Sequence, residues 1–457
     1  MRPNAAPNNL FFRFLIILGI VACCGTAVHA QDRPSAADFD GETVHVDPSE
    51  DGQGIQNAID QVQPGSTIVL ESGTFVVRDP FLCIDKRIYL KGNGEATIKL
   101  GDHIRQKTGQ EPSSVIELVE QGNTGQNADG TLIENIHIDG NFQNNEYGEH
   151  GGSYNPFSHG IRVGGRTLRS QERYVANNVV LRDITVTNTI RSGIDGDMKN
   201  TYMKNIHVID SATDHHIYLA GAMDTVLEDV VLEGHSRRAS LVFGTTGRDI
   251  AENEIRDLTI KNLEETPNGD VPDPAIIFRG EGKTQGNNTI KNVRILAQGA
   301  KRRNGEPFGT WIQIRQPNTT IDGLEFATHL DKDNGALVNF GVGSEGSILR
   351  DARILVPSTD DAQRPTIAFE SGKIGLEKIR IRETSEREKL RGIHLDPAHD
   401  HITDITINGL YVDIGRQWLW AENSKYRTEN LTITNFKQKR AKPPHIPSGA
   451  AVNYTVQ

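Results

Sequence analysis

This 457-residue chain has little cysteine, few aromatics and a shortage of positive charge. It has three cysteines: Cys23 and Cys24 lie near the N-terminus and only Cys83 lies beyond them. A single remaining cysteine closes no intramolecular disulfide, and three cannot build a zinc cage by themselves. Stability must therefore come from packing and backbone pairing. Aromatic residues make up only 6% of the sequence, so large ring-lined cores are excluded as the general plan. Lys and Arg number 49 against 60 Asp and Glu, a formal net charge of −11. That field excludes nucleic acid as a partner for the whole surface, and an anionic substrate would require a local basic patch. Beyond residue 30 no stretch is long and apolar enough to span a membrane.

The first residues read MRPNAAPNNLFFRFLIILGIVACCGTAVHAQD. Arg2 and Arg13 precede an apolar core from Phe14 to Val21, and a small-residue site ends at Ala30. This order is that of a secretory signal over residues 1–30. An alternative cut follows the lipoprotein-like IVAC ending at Cys23. Either route predicts an exported protein, periplasmic or extracellular, and a monomer is expected.

Against these absences stand 45 glycines and a degenerate repeat. A polar pair followed by apolar–x–apolar recurs as IENIHID (133–139), LRDITVT (181–187), MKNIHVI (203–209), LEDVVLE (227–233), IRDLTIK (255–261), IKNVRIL (290–296), IDGLEFA (321–327), LRDARIL (349–355), LEKIRIR (376–382) and ITDITIN (402–408). A second unit falls between copies: HGIRVGG, SGIDGDM, HHIYLAG, SLVFGTT, AIIFRGE, WIQIRQP, LVNFGVG, TIAFESG and GIHLDPA. Alternation at period two argues strands. Recurrence at about 22 to 35 residues argues a solenoid. With short strands and no helix between them, the expected fold is an all-β, right-handed parallel β-helix of about a dozen coils over residues 31–436. Residues 54–62, GIQNAIDQV, place Ile55, Ala58 and Ile59 on one helical face and are expected to cap the first open coil. The basic, Pro-containing segment 437–457 reads as a C-terminal tail, extended along the last coil or partly disordered.

The run IQNAID…PGSTIVLESGTF…IYLKGNG resembles the start of the pectin-lyase-like β-helix superfamily, and the resemblance extends over residues 42–436. It implies extracellular polysaccharide chemistry, with the reaction left open.

In a strand alternate residues face opposite ways, and the apolar set fixes which face is inward. Aligning the second units gives three columns expected to face out. The middle column reads Arg162, Asp195, Tyr218, Val242, Ile277, Gln313, Asn339, Ala368, His394. The following column reads Gly164, Asp197, Ala220, Gly244, Arg279, Arg315, Gly341, Glu370, Asp396. The preceding column reads Gly160, Gly193, His216, Ser240, Ala275, Trp311, Leu337, Thr366, Gly392. Parallel neighbours lie about 4.8 Å apart, so Arg162, Asp195, Asp197, His216 and Tyr218 should share one patch of an open groove. His215 has inward parity and is expected to be partly buried. Loops at 140–158, 261–273 and 297–309 are expected to wall the groove, with Tyr147, His150, Tyr154, Lys301, Arg302 and Arg303 on them.

Two reactions would use this set. β-Elimination or C5-epimerisation of uronic acid residues needs a base for the proton beside a carboxylate and a group that neutralises that carboxylate. His216 or Tyr218 would move the proton, and Arg162, Arg237, Arg238, Arg279 and Arg315 would hold the acidic chain. Glycoside hydrolysis needs two carboxylates. Asp195 and Asp197 supply them, about 6–7 Å apart along one strand face. SGIDGD resembles the Asp-bearing strand of polygalacturonase-type hydrolases, although the following coils lack that family's Asp–Asp pair and Arg-x-Lys strand. The same DGD stretch can instead cap a turn or bind Ca2+. HLDPAHDH (394–401) resembles the Asp-Pro-His-Asp motif of alginate epimerases, interrupted by Ala398. It lies about seven coils from Tyr218. A carbohydrate-binding or structural surface protein on the same scaffold is the third reading.

Overall fold

The computed structural model describes residues 33–456, apart from 79–81, 105–112, 121–125, 146–156, 168–172, 245–247, 265–274, 281–284, 297–310, 328–335, 357–364, 385–389, 397–400, 422–426 and 447–451. The signal segment, Cys23 and the six side chains on the three expected loop walls lie outside the described residues.

Among the described residues the strands build two parallel sheets, one of 20 strands and one of 15. Each strand pairs with its equivalent one coil earlier and one coil later, as Ile184 does with Ile136 and Ile206. This is the expected right-handed parallel β-helix. The polar pair of the repeat has a specific use. Its second residue takes a left-handed bend with φ from 49° to 79° at Asn135, Asp183, Asn205, Asp229, Asp257, Asn292, Gly323, Asp351, Lys378 and Asp404; on the rung after Lys378 the equivalent bend falls at Gly409, because Leu376 pairs with Ile407 and not with Ile402. Asn, Asp and Gly tolerate that region best, which explains why they recur there.

Inward positions stack into continuous apolar files. Phe243 lies on Phe278 with ring centroids 4.9 Å apart, and Phe340 on Phe369 at 5.5 Å. Offset stacking of this kind adds to the burial of each ring. The helix Asp51–Gln61 closes the first coil and buries Ile55, Ala58 and Ile59. Gln56 also completes the cap. Its Oε1 accepts from the Cys83 N–H at 2.8 Å and its Nε2 donates to the Cys83 carbonyl at 3.3 Å. Cys83 sits on the outermost strand of the 15-stranded sheet, Leu82–Ile84, so the helix satisfies backbone groups that would otherwise be an open edge. At the other end the segment read as a tail contributes pairing. Lys437–Lys439 pairs with Thr406–Asp413, and Val452–Val456 with Thr428–Thr434.

One column differs from expectation. Gly160, Gly193, His216, Ser240, Ala275, Trp311, Leu337, Thr366 and Gly392 are all buried, and Ala275, Trp311 and Leu337 belong to the main apolar core. This column faces inward, directly before another inward column. The chain turns a corner there, so two consecutive residues point inward and strict alternation fails. A Cβ on Gly193 would lie 2.3 Å from Val208 Cγ1 and 2.9 Å from the His216 carbonyl oxygen. Gly193→Ala is therefore expected to lower the unfolding free energy by about 1–3 kcal/mol in urea titration. An outward site would tolerate the change within about 0.5 kcal/mol.

Candidate functional site

The middle column forms as aligned. Asp195 pairs with Arg162 on one side and Tyr218 on the other, and Arg162 pairs with Glu117 one coil earlier. The result is a ladder Glu117–Arg162–Asp195–Tyr218 on the outer face, one residue per rung of about 4.8 Å. Glu117 was missed from sequence. Ile116 and Leu118 flank it as Ile161 and Val163 flank Arg162, a detectable signal, but this unit precedes the regular part of the repeat.

Arg162 bridges the two carboxyl groups. Its Nη1 is 3.5 Å from Glu117 Oε1 and its Nε is 3.6 Å from Asp195 Oδ2. His159 Nε2 stands 3.6 Å from the same Asp195 oxygen. Burial pushes the Glu117 carboxyl up to about 7, against the pull of Arg162 and with help from the charge of Asp195. Burial also raises the Asp195 carboxyl, opposed by Arg162 and Arg191. His159 is held well below its usual range, first by burial and then by Arg191 and Arg162. The ladder is thus biased toward neutral carboxyls and a neutral imidazole.

A second cluster adjoins Tyr218. His215 Nδ1 donates to the Ala239 carbonyl at 2.6 Å and its Nε2 lies 3.2 Å from Asp214 Oδ1. Arg191 at 3.4 Å and Arg238 at 3.7 Å reach the same carboxylate. The His215 ring centroid is 5.0 Å from that of half-buried Tyr218. The Arg279 guanidinium stands 6.0 Å from the centre of the Tyr218 ring.

Several expected site residues are placed differently. The two histidines exchange roles: His215 lies beside Tyr218, whereas His216 is fully buried in the inward corner column. Burial lowers His216 to about 3, so it stays neutral, and neither ring nitrogen has a well-formed hydrogen bond. Asp197 leaves the ladder as well. A register shift between Gly196 and Asp197 sets it opposite Gly221 instead of Ala220. There Arg173 pairs with it, Nε to Oδ2 at 2.8 Å, and Arg248 Nη1 lies 2.9 Å from it. Arg237 is half-buried on the corner beside exposed Arg238. Arg315 is exposed one rung beyond Arg279 and does not reach Tyr218's cluster, whose members come from Glu117 to Arg279.

Calcium fits these carboxylates poorly. Asp197 is already neutralised by two guanidinium groups, Asp195 faces Arg162 and His159, and among the described residues no three His, Cys, Asp or Glu side chains converge as metal ligands. Of HLDPAHDH, the described histidines make separate contacts. His394 stacks on Trp420 at 4.1 Å, and His401 Nδ1 accepts from the Arg427 N–H at 3.0 Å. His399 and Asp400 lie outside the described residues.

The raised Glu117 group has a signed consequence. Its folded form holds a proton that the unfolded chain has lost between pH of about 4.3 and about 7, so stability falls as pH rises through that window. Wild type is expected to lose roughly 2–3 kcal/mol relative to Glu117→Gln between those limits. Urea midpoints of both proteins at pH 4.5 and 7.5 check this; parallel changes would show that Glu117 is not desolvated.

No family model matches the chain, and no curated protein matches its sequence. Solved structures do share its architecture. The A-module of the mannuronan C-5 epimerase AlgE4 of Azotobacter vinelandii superposes with a TM-score of 0.51 at 13% identity, covering 92% of this chain and 99% of that one. The tailspike protein of E. coli bacteriophage HK620 superposes with a TM-score of 0.53 at 11% identity, covering 90% of this chain and 75% of that one. At these identities the likeness is one of fold, a parallel β-helix.

Proposed function

We propose that this protein is an exported carbohydrate-active enzyme that removes the C5 proton of uronic acid residues in an acidic polysaccharide, by β-elimination or C5-epimerisation. The observation that carries this reading is the in-register ladder Glu117–Arg162–Asp195–Tyr218, with His215 beside the tyrosine and burial favouring protonated carboxyls.

The chemistry follows from what such a proton requires. Removing it leaves an electron pair shared with the neighbouring carboxylate, so that carboxylate must first be neutralised. Arg162, a protonated Asp195 and Arg279 offer charge and hydrogen-bond donors around Tyr218. The Tyr218 oxygen is the proton-transfer group. His215, fixed by the Ala239 carbonyl and Asp214, packs its ring against the tyrosine and positions it. In elimination the electron pair expels the oxygen at C4, which takes up a proton. In epimerisation a proton returns to C5 from the opposite face. The fold shared with a mannuronan C-5 epimerase supports the substrate class, as fold-level analogy.

Hydrolysis by Asp195 and Asp197 is less well supported. The arginine pair around Asp197 leaves it neither a free nucleophile nor an acid. The proposed reaction routes no step through Ca2+.

Incubation with alginate, polygalacturonate and glucuronan should yield ultraviolet-absorbing unsaturated ends, or solvent tritium exchange without cleavage. Tyr218→Phe is expected to lower kcat by about 10²–10⁴-fold with the fold intact. New reducing ends without absorbance would support hydrolysis instead. A broad panel that yields no product, with polymer binding retained in Tyr218→Phe, would leave a binding or structural protein.

A further inference from the structure

The 20-stranded sheet carries a second row of chemistry on its outer face. Arg353, Arg380, Tyr411 and Lys437 are register partners on four consecutive rungs. They line an open cleft of about 640 Å³ with Lys378 on its rim. We propose that this cleft binds an acidic glycan chain at a site separate from the Tyr218 face.

The argument begins from a local conflict. Like charges on directly opposed positions of neighbouring strands destabilise a sheet. Elsewhere in this sheet cations also face one another, Arg182 opposite Lys204 and Arg256 opposite Lys291, but a carboxylate holds each of them, Glu254 taking both Arg256 and Lys291. Arg182 pairs with Glu134 at 2.8 Å, Lys204 with Glu228 at 2.7 Å, and Arg350 with Asp322 at 2.8 Å. Arg353 faces Arg380 on one side and Glu325 on the other, but Glu325 is engaged by Arg294 at 3.4 Å. Among the described residues Arg353, Arg380 and Lys437 have no ion-pair or hydrogen-bond partner for their side chains. All three are exposed.

Lys378 adds an independent sign. It occupies the left-handed bend, φ 53°, that is otherwise Asn, Asp or Gly from Asn135 to Gly409. A long side chain there is strained, and what it gains is an ammonium group beside the cleft, tied only to Asp351 at 3.5 Å. Asp351, on the cleft lining, holds Lys378, and the guanidinium groups of Arg353 and Arg380 remain for a ligand to complete.

The shape favours a glycan among anions. The cations run in one file along the helix axis, one per rung, with the half-buried Tyr411 ring among them. A cleft of this size takes a few sugar rings. A membrane or a nucleic-acid duplex needs a broad basic face, whereas this cleft offers a narrow file of cations. The choice of an acidic glycan rests on the proposed substrate class; the unpaired row does not.

Native electrophoresis in gels containing polygalacturonate or alginate, with dextran as the neutral control, tests the proposal. Wild type and Tyr218→Phe should be retarded equally by an acidic polymer. The double variant Arg353→Gln/Arg380→Gln should bind about fivefold or more weakly, with mobility corrected in polymer-free gels. Its melting temperature should equal or exceed that of wild type, because repulsion is relieved; should it fail to fold, Lys437→Gln carries the same comparison. Equal retardation of wild type and double variant overturns the site. Arginine-dependent binding to duplex DNA or anionic vesicles, with none to either polyuronate, overturns the glycan assignment. Arginine-dependent retardation without turnover of any polymer would sink the proposed enzyme while leaving the cleft, and turnover with unchanged retardation would do the reverse.

Discussion

Rung register governs this molecule. Each strand is hydrogen-bonded to its equivalent in the coils before and after, so every position stacks on its counterpart about 4.8 Å away. Inward positions within the strands are then apolar in coil after coil, because a polar one would face a continuous hydrocarbon file with no water, and only the corner column admits His216, Ser240 and Thr366. The same rule stacks Phe243 on Phe278 inside and Arg162 between Glu117 and Asp195 outside. It also repeats the left-handed bends, since a bend in one coil forces the next to bend at the same point.

Such columns turn a one-dimensional sequence into chemistry. Glu117, Arg162, Asp195 and Tyr218 are separated by many residues, yet they become neighbours because each lies midway between two inward apolar residues. Burial on the rungs then tunes them. A carboxyl at 5% exposure loses the water that would stabilise its charge, and one guanidinium shared between Glu117 and Asp195 does not restore it fully. The fold therefore supplies one carboxyl, Glu117, pushed up to about 7, and a second, Asp195, pushed in the same direction, on a ladder with a tyrosine and a fixed imidazole.

The two outer faces use register in opposite ways. Along the ladder of the 15-stranded sheet, charges alternate and carboxyls are desolvated. Along the last rungs of the 20-stranded sheet, cations face cations and remain exposed. The first arrangement suits proton transfer and the second suits capture of an anion.

The sequence alone determined the solenoid, its N-terminal cap and the alignment of the middle column. Period-two alternation, the recurring polar pair, and the face of Ile55, Ala58 and Ile59 are local signals, and each follows from local chain geometry. Tertiary structure alone decided which of two adjacent histidines meets the site. Alternation predicts His216, but the corner points both His216 and Ile217 inward and leaves His215 against Tyr218. It also withdrew Asp197, because one extra residue at Ala220 shifts the pairing, and it brought in Glu117, His159 and Asp214. Corners, bulges and desolvation depend on how the coils meet, and no local periodicity encodes them.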